Sequence, residues 1–190
     1  MLRIPGRSAH APDDNVLIGP LDLAARVDDA LAVQALAFGL TDDEISVRRQ
    51  IVLRHITYPG ARALGATRDD GRLVGFVYGM PNSRAHWWST VVEPYLYTRG
   101  QSGWLDDSFV ITELHVLPRY QNRGVGRALI TTITDSAEEP RSILSAIDIE
   151  SPARGLYRSL GYQDLALQVQ FPSAPRAYAV MGAPLPLRRP

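Results

Sequence analysis

Between Phe109 and Ile130 a strand-like run breaks into a glycine turn and reopens in helical rhythm, and this junction constrains the fold more than any other part of the chain. Phe109-Val-Ile-Thr-Glu-Leu-His-Val116 is rich in residues that favour a pleated, buried surface. Leu117 and Pro118 end it, and Gln121-Asn122-Arg123-Gly124-Val125-Gly126 forms the turn before Arg127-Ala-Leu-Ile130 continues as a helix. A strand that turns through Gly-x-Gly into a helix presents unpaired backbone N–H groups beside the positive end of the helix dipole, which makes an anion site. The glycines tolerate positive φ and permit close backbone approach.

Two familiar phosphate loops fail on residue identity. A P-loop requires Lys and then Ser or Thr after the last glycine, but Gly126 is followed by Arg127 and Ala128. The dinucleotide fingerprint requires a third glycine where this chain has Leu129.

The rest of the chain predicts one domain over 15–186, preceded by a flexible tail at 1–14 rich in Pro, Gly, Arg and Asp. Val16–Ile18 reads as a first strand, 22–38 as an amphipathic helix closed by Gly39, and Thr41 with Glu44 as a capping box opening a second helix to about His55. Residues 61–68 and 72–80 read as a hairpin around Asp69-Asp70-Gly71. A long aromatic connection, 81–107, carries Trp87, Trp88, Tyr95, Tyr97 and Trp104. After the glycine turn come a helix from 123 to 137, a strand at 143–149, a helix capped by Ser151-Pro152 and ending at Gly161, and strands at 165–171 and 177–185. Early hairpins and late crossovers make a mixed sheet with helices packed on it, an α+β fold.

Composition narrows the function classes. All 20 basic residues are arginine, there are 20 acidic residues, and the formal net charge is zero, which gives no electrostatic case for a nucleic-acid or membrane-surface partner. The chain has no cysteine, so a disulfide, a thiolate nucleophile and a thiolate metal site are excluded, and no metal is expected. No apolar run approaches the roughly 20 residues of a membrane span, and the expected location is cytoplasmic.

Two motifs together resemble the GNAT superfamily of acetyl-coenzyme A-dependent N-acetyltransferases. The first, Gln/Arg-x-x-Gly-x-Gly/Ala, is matched by Gln121, Gly124 and Gly126, preceded by Val116-Leu117-Pro118. The second stands as Ala153-Arg-Gly-Leu156-Tyr157-Arg-Ser-Leu160-Gly161-Tyr162. The resemblance implies a mixed, mostly antiparallel sheet of about seven strands in a three-layer arrangement, with four main helices and an insertion between the third and fourth strands. It implies acetyl-coenzyme A as co-substrate, its pyrophosphate held by backbone amides of Gln121, Asn122, Arg123, Gly124, Val125, Gly126 and Arg127. It also implies that the backbone of Leu114 and Val116 pairs with the pantetheine arm and that Tyr157 faces the departing thiolate. The family's asparagine before that tyrosine is replaced by Glu150, and the glutamates of its ribosomal-protein and histone branches by Ser145 and Val110.

The chemistry asks for a base. A lysine-like amine with pKa near 10.4 is neutral in only about one molecule in two thousand at pH 7, a cost of about 4–5 kcal/mol. Glu113 and His115 are two apart on a strand and therefore share a face, which makes them the candidate base pair. The expected function is direct acetyl transfer to a primary amine of a small molecule. An aminoglycoside-type antibiotic acetyltransferase and a non-catalytic acyl-coenzyme A-binding module are the alternatives. The 81–107 insert is expected to line the acceptor site, to pack, or to form a homodimer contact, and Glu93, Asp106 and Asp107 are its candidate ammonium ligands.

Overall fold

The computed structural model describes residues 2–4, 15–172 and 174–189, the first three as backbone only. The expected tail falls mostly outside them. The chain divides into two compact units, one formed by residues up to Met80 with Glu113–Ile133, the other by Pro81–Thr112 with the residues from Thr134 onward.

The first unit begins with β1 (Leu2–Ile4) and β2 (Val16–Pro20), then α1 (Val27–Phe38), α2 (Asp42–His55), β3 (Arg62–Arg68) and β4 (Leu73–Pro81). β1 lies within the stretch expected as a tail and pairs antiparallel with β2. β2 with β3 and β3 with β4 are antiparallel as well. The β3–β4 hairpin closes as expected, with Gly71 at φ 79° and its N–H donating to the Arg68 carbonyl. β4 is buried at every position from Leu73 to Met80, so it shows no polar alternation. Gly75 in β4 lies so close to β5 (Ser108–Val116) that a Cβ there would sit 3.1 Å from the His115 carbonyl oxygen.

The helix signals hold with one shift. The Thr41–Glu44 capping box forms in both directions, and α1 ends at Gly39 in the left-handed region, φ 76°. α1 starts at Val27 rather than at 22, because the Ala25 N–H donates to Asp22 Oδ1 and the chain makes a turn first. Leu23, Val27, Leu31 and Val33 pack with Val52, Phe76 and Tyr78 as this unit's core. After β5 a short 3-10 turn (Pro118–Tyr120) leads to α4 (Val125–Asp135).

The second unit holds α3 (Trp87–Tyr97), a 3-10 turn (Ser102–Leu105), the start of β5, then β6 (Arg141–Ile147), α5 (Pro152–Ser159), β7 (Gln163–Val169) and β8 (Tyr178–Pro184). β5 and β6 pair in parallel from Ser108↔Arg141 to Ile111↔Leu144, after which β5 runs on to Val116 and β6 to Ile147. β8 lies antiparallel to both β6 and β7, so the α5 crossover skips a strand.

Here the sequence reading is corrected. The expected connection 81–107 contains the helix α3, which weak helix formers (two tryptophans, Thr90, Val91, Val92) and Pro94 disguise. Tertiary burial overrides that propensity, because Val92, Leu96 and Leu105 are fully buried against Val110, Ile143, Leu165, Val169 and Val180. The insert is therefore part of a core and not a detachable lid. Leu187 and Arg188 are docked too, with Leu187 buried and the Arg188 N–H donating to the Leu160 carbonyl at 3.0 Å.

Candidate functional site

The glycine turn is held open by its own side chains. The Leu117 N–H donates to the Val74 carbonyl at 2.9 Å, which fixes the exit from β5. Gln121 Nε2 then donates to the Val116 carbonyl at 2.9 Å, so this side chain staples the loop to the strand end. Asn122 at φ 57° and Gly124 at φ 83° take the left-handed conformation. A Cβ on Gly124 would meet nothing within 4 Å, so glycine is needed there for its backbone conformation and not for space. The Ala128 N–H to Gly124 carbonyl bond, 2.9 Å, starts the helical ladder. Val125, Gly126 and Arg127 form the first turn of α4, behind that carbonyl. Val125 is buried beneath the loop while Asn122, Arg123 and Gly124 stand exposed, and the Arg119 and Arg123 guanidiniums lie 4.8 and 5.9 Å from the Tyr120 ring. A helix N-terminus with left-handed residues and nearby arginines suits the phosphates of a coenzyme A.

Glu113 and His115 do share a face of β5. Glu113 Oε2 lies 2.7 Å from His115 Nε2. The imidazole is held between rings, the Phe38 centroid at 5.9 Å and the Phe76 centroid at 5.7 Å. Burial alone would push the Glu113 carboxyl up, but the His115 hydrogen bond and the charges of His115 and Arg48 outweigh it and hold the carboxyl below its ordinary value. Leu114, between them, is half-buried and Val116 is buried; the Val116 carbonyl already serves Gln121.

Three neighbours of this pair come from distant sequence. Arg48 of α2 donates through Nη1 to Glu113 Oε1 at 3.2 Å and lies over the Phe38 ring. Tyr78 of β4 shares a hydrogen bond with His55 Nδ1 at 3.2 Å, and burial, reinforced by the Glu113 charge, pushes its phenol up. Gln34 of α1 is 1% exposed. Its amide lies against Glu113 and helps hold that carboxylate ionised, yet neither end closes a hydrogen bond of ordinary geometry. The i, i+4 spacing of Gln34 and Phe38 on one helix face is a signal the sequence carried, but only the fold shows what that face meets.

Tyr157 sits on α5, whose Ser151 cap accepts from the Arg154 N–H at 3.3 Å. Its ring meets Tyr162 edge-on, centroids 5.8 Å apart. Tyr162 is tied to Ser142 at 2.7 Å, and burial pushes its phenol well up, which leaves it a packing role. Arg154 anchors the same helix through Asp148 at 2.8 Å and Asp164 at 2.6 Å.

Two of the insert's three candidate acidic groups, Glu93 and Asp106, are already engaged. Arg84 binds Asp106 through two nitrogens at 2.7 Å, reaches Glu93 and donates to the Ser102 carbonyl. Glu93 and Asp106 thus share the one positive charge of Arg84 within the insert. Trp88 donates to Ser145 Oγ at 3.2 Å, Trp104 packs on Leu165 against Gly182, and Trp87 stays exposed beside Phe171. Glu150, at the family's asparagine position, pairs with Arg158 at 2.7 Å.

Residues 60–164, more than half of the chain, match the acetyltransferase (GNAT) domain model, and the chain belongs to this family of acetyltransferases. It is similar, at 29% identity over 197 residues, to a GCN5-like protein acetyltransferase of Mycobacterium tuberculosis, across 88% of this chain and 96% of that one. Its fold is shared with a GNAT-family acetyltransferase from Desulfovibrio desulfuricans, TM-score 0.65 at 18% identity over 89% of this chain and 98% of that one. A PaiA N-acetyltransferase from Thermoplasma acidophilum in complex with coenzyme A also shares it, TM-score 0.57 at 13% identity over 89% and 98%. The mixed, mostly antiparallel sheet with flanking helices expected from the two motifs is the architecture these structures have. Among the described residues no helix is long and apolar enough to cross a membrane.

Proposed function

We propose that 15–186 works as one N-acetyltransferase domain that carries acetyl from acetyl-coenzyme A to a primary amine in a single ternary complex, with the Glu113–His115 pair removing the amine proton. The 2.7 Å contact between Glu113 Oε2 and His115 Nε2 carries this reading. Acetyl-coenzyme A supplies the activated thioester. Glu113, ionised at neutral pH, accepts from the Nε2–H of His115 and so leaves Nδ1 with the lone pair. That nitrogen takes the amine proton, and the Glu113 carboxylate stabilises the imidazolium that results. Backbone amides from Asn122 to Arg127 hold the pyrophosphate, and the Leu114–Val116 backbone orients the pantetheine arm. Tyr157 donates a hydrogen bond to the departing sulfur. Without a cysteine in the chain, acetyl passes to the amine directly and not through a protein thioester.

A small-molecule amine is one acceptor class. A protein amine is the second, favoured by the whole-length similarity to a protein acetyltransferase. The aminoglycoside reading loses support, because Glu93 and Asp106 are bound by Arg84 and a cationic Arg48 stands beside the base. Thiol release from acetyl-coenzyme A is measured across small amines and lysine-bearing peptides. Turnover with an amine supports transfer, and the preferred arm identifies the class. Tight coenzyme A binding without turnover on any amine overturns it in favour of a binding module.

A further inference from the structure

Arg48 and Gln34 both lie against the Glu113 carboxylate, and neither is fully used by it. Arg48 uses one guanidinium nitrogen, Nη1, on one oxygen of Glu113. Among the described residues its Nε and Nη2 have no hydrogen-bond acceptor, and its side chain remains 30% exposed beside the Glu113 carboxylate. The other nearby carboxylate, Glu44, is committed to the Thr41 cap. Gln34 is buried with both ends of its amide unsatisfied, an unfavourable arrangement unless something else completes it. Its side chain and the Arg48 guanidinium both lie against the Glu113 carboxylate.

We propose that Arg48 and Gln34 form a carboxylate subsite beside the base, so that the acceptor is an amine carrying a carboxylate nearby. The inference rests on the acetyl-transfer reading. A guanidinium with spare donors in its fork matches a carboxylate bidentately. The Gln34 amide, which can donate or accept, completes the polar wall. Arg48 and the ionised Glu113 nearly cancel in charge, so a singly charged carboxylate is accommodated better than a dianion, and the pair offers a polycation no net attraction. A free amino acid and an acidic peptide segment offer the same chemistry.

The test compares kcat/KM for β-alanine and γ-aminobutyrate with propylamine, butylamine and spermidine, and for Glu-Lys-Glu with Gln-Lys-Gln peptides, in the wild type and Arg48→Gln. The carboxylate-bearing acceptor should lead in the wild type, and the acid-to-amine ratio should fall about 10- to 100-fold in Arg48→Gln, the loss expected of one charge-assisted contact. The ratio is read because Arg48 also acts on Glu113, which alters all acceptors alike. Gln34→Met should hold or raise Tm, since it removes an unsatisfied buried amide, while raising KM for the acidic acceptor. An unchanged ratio, a wild-type preference for spermidine, or a Gln34→Met variant that loses stability with KM intact overturns the subsite while leaving acetyl transfer standing. Should no amine be turned over, calorimetry with N-acetyl-β-alanine decides. Binding that weakens at least tenfold in Arg48→Gln keeps the subsite although the transfer reading falls, and no binding to the wild type removes both.

Discussion

Glu113 and His115 stand two residues apart on β5 with their side chains 2.7 Å apart, and the carboxyl of the first is held below its ordinary value chiefly by the second. Around them the Phe38 and Phe76 rings pack against the imidazole, and Arg48 occupies the other carboxylate oxygen. On the proposed reading, the pair is thus oriented for proton removal before any acceptor arrives.

Glu113→Gln should lower kcat by about 10²- to 10⁴-fold, the range for general-base groups, with the dissociation constant for coenzyme A changed little. An amide can still bond the imidazole but cannot stabilise its cation. Steady-state rates with a saturating amine, alongside calorimetric coenzyme A binding, check this. Wild-type kcat in Glu113→Gln would show that the proton leaves by another route.

The same carboxylate makes stability depend on pH. Its folded-state pKa lies below the ordinary value of 4.5, so it contributes stability in full above that value, and the contribution is lost as pH falls through the folded-state pKa. Denaturant midpoints measured from neutral pH down to acid should therefore drop less steeply in Glu113→Gln than in the wild type. Parallel curves would mean that the carboxylate is not selectively ionised in the folded protein.

Leu96→Ala should cost about 2–5 kcal/mol, because a fully buried leucine of α3 leaves a cavity among Val110, Leu165 and Val169. Denaturant unfolding measures it. A cost below about 1 kcal/mol would mean that α3 packs loosely and acts as a movable cover.

What the sequence disclosed and what it hid follow from range. The capping box, the Gly71 hairpin, the glycine turn and the shared face of Glu113 and His115 are set by neighbours a few residues apart, so periodicity and turn chemistry reveal them. Gln34, Arg48 and Tyr78 reach Glu113 from α1, α2 and β4, and no local pattern records that meeting. α3 was hidden for the same reason, since Val92 and Leu96 win their helix by burial and not by propensity. The side chain of Gln121, a motif residue, bonds the Val116 carbonyl and fastens the loop to the strand end. Motif membership marks a residue that matters without saying whether it touches the ligand or shapes the loop.

Gly124→Ala should therefore weaken acetyl-coenzyme A binding by about tenfold, since a left-handed residue with a Cβ costs about 1–2 kcal/mol in the loop conformation. Gln121→Leu should act in the same direction by freeing the strand end. Calorimetric titration of coenzyme A reads both, and the prediction fails if both variants bind as the wild type does.

Thiol release from acetyl-coenzyme A, followed with a saturating carboxylate-bearing amine in the wild type and in Glu113→Gln/His115→Ala, tests the central claim most directly. Amine-dependent release in the wild type that falls at least 10²-fold in the double variant, with coenzyme A still bound, is the predicted result. Equal rates in the two proteins, or coenzyme A binding without release on any amine, would contradict it.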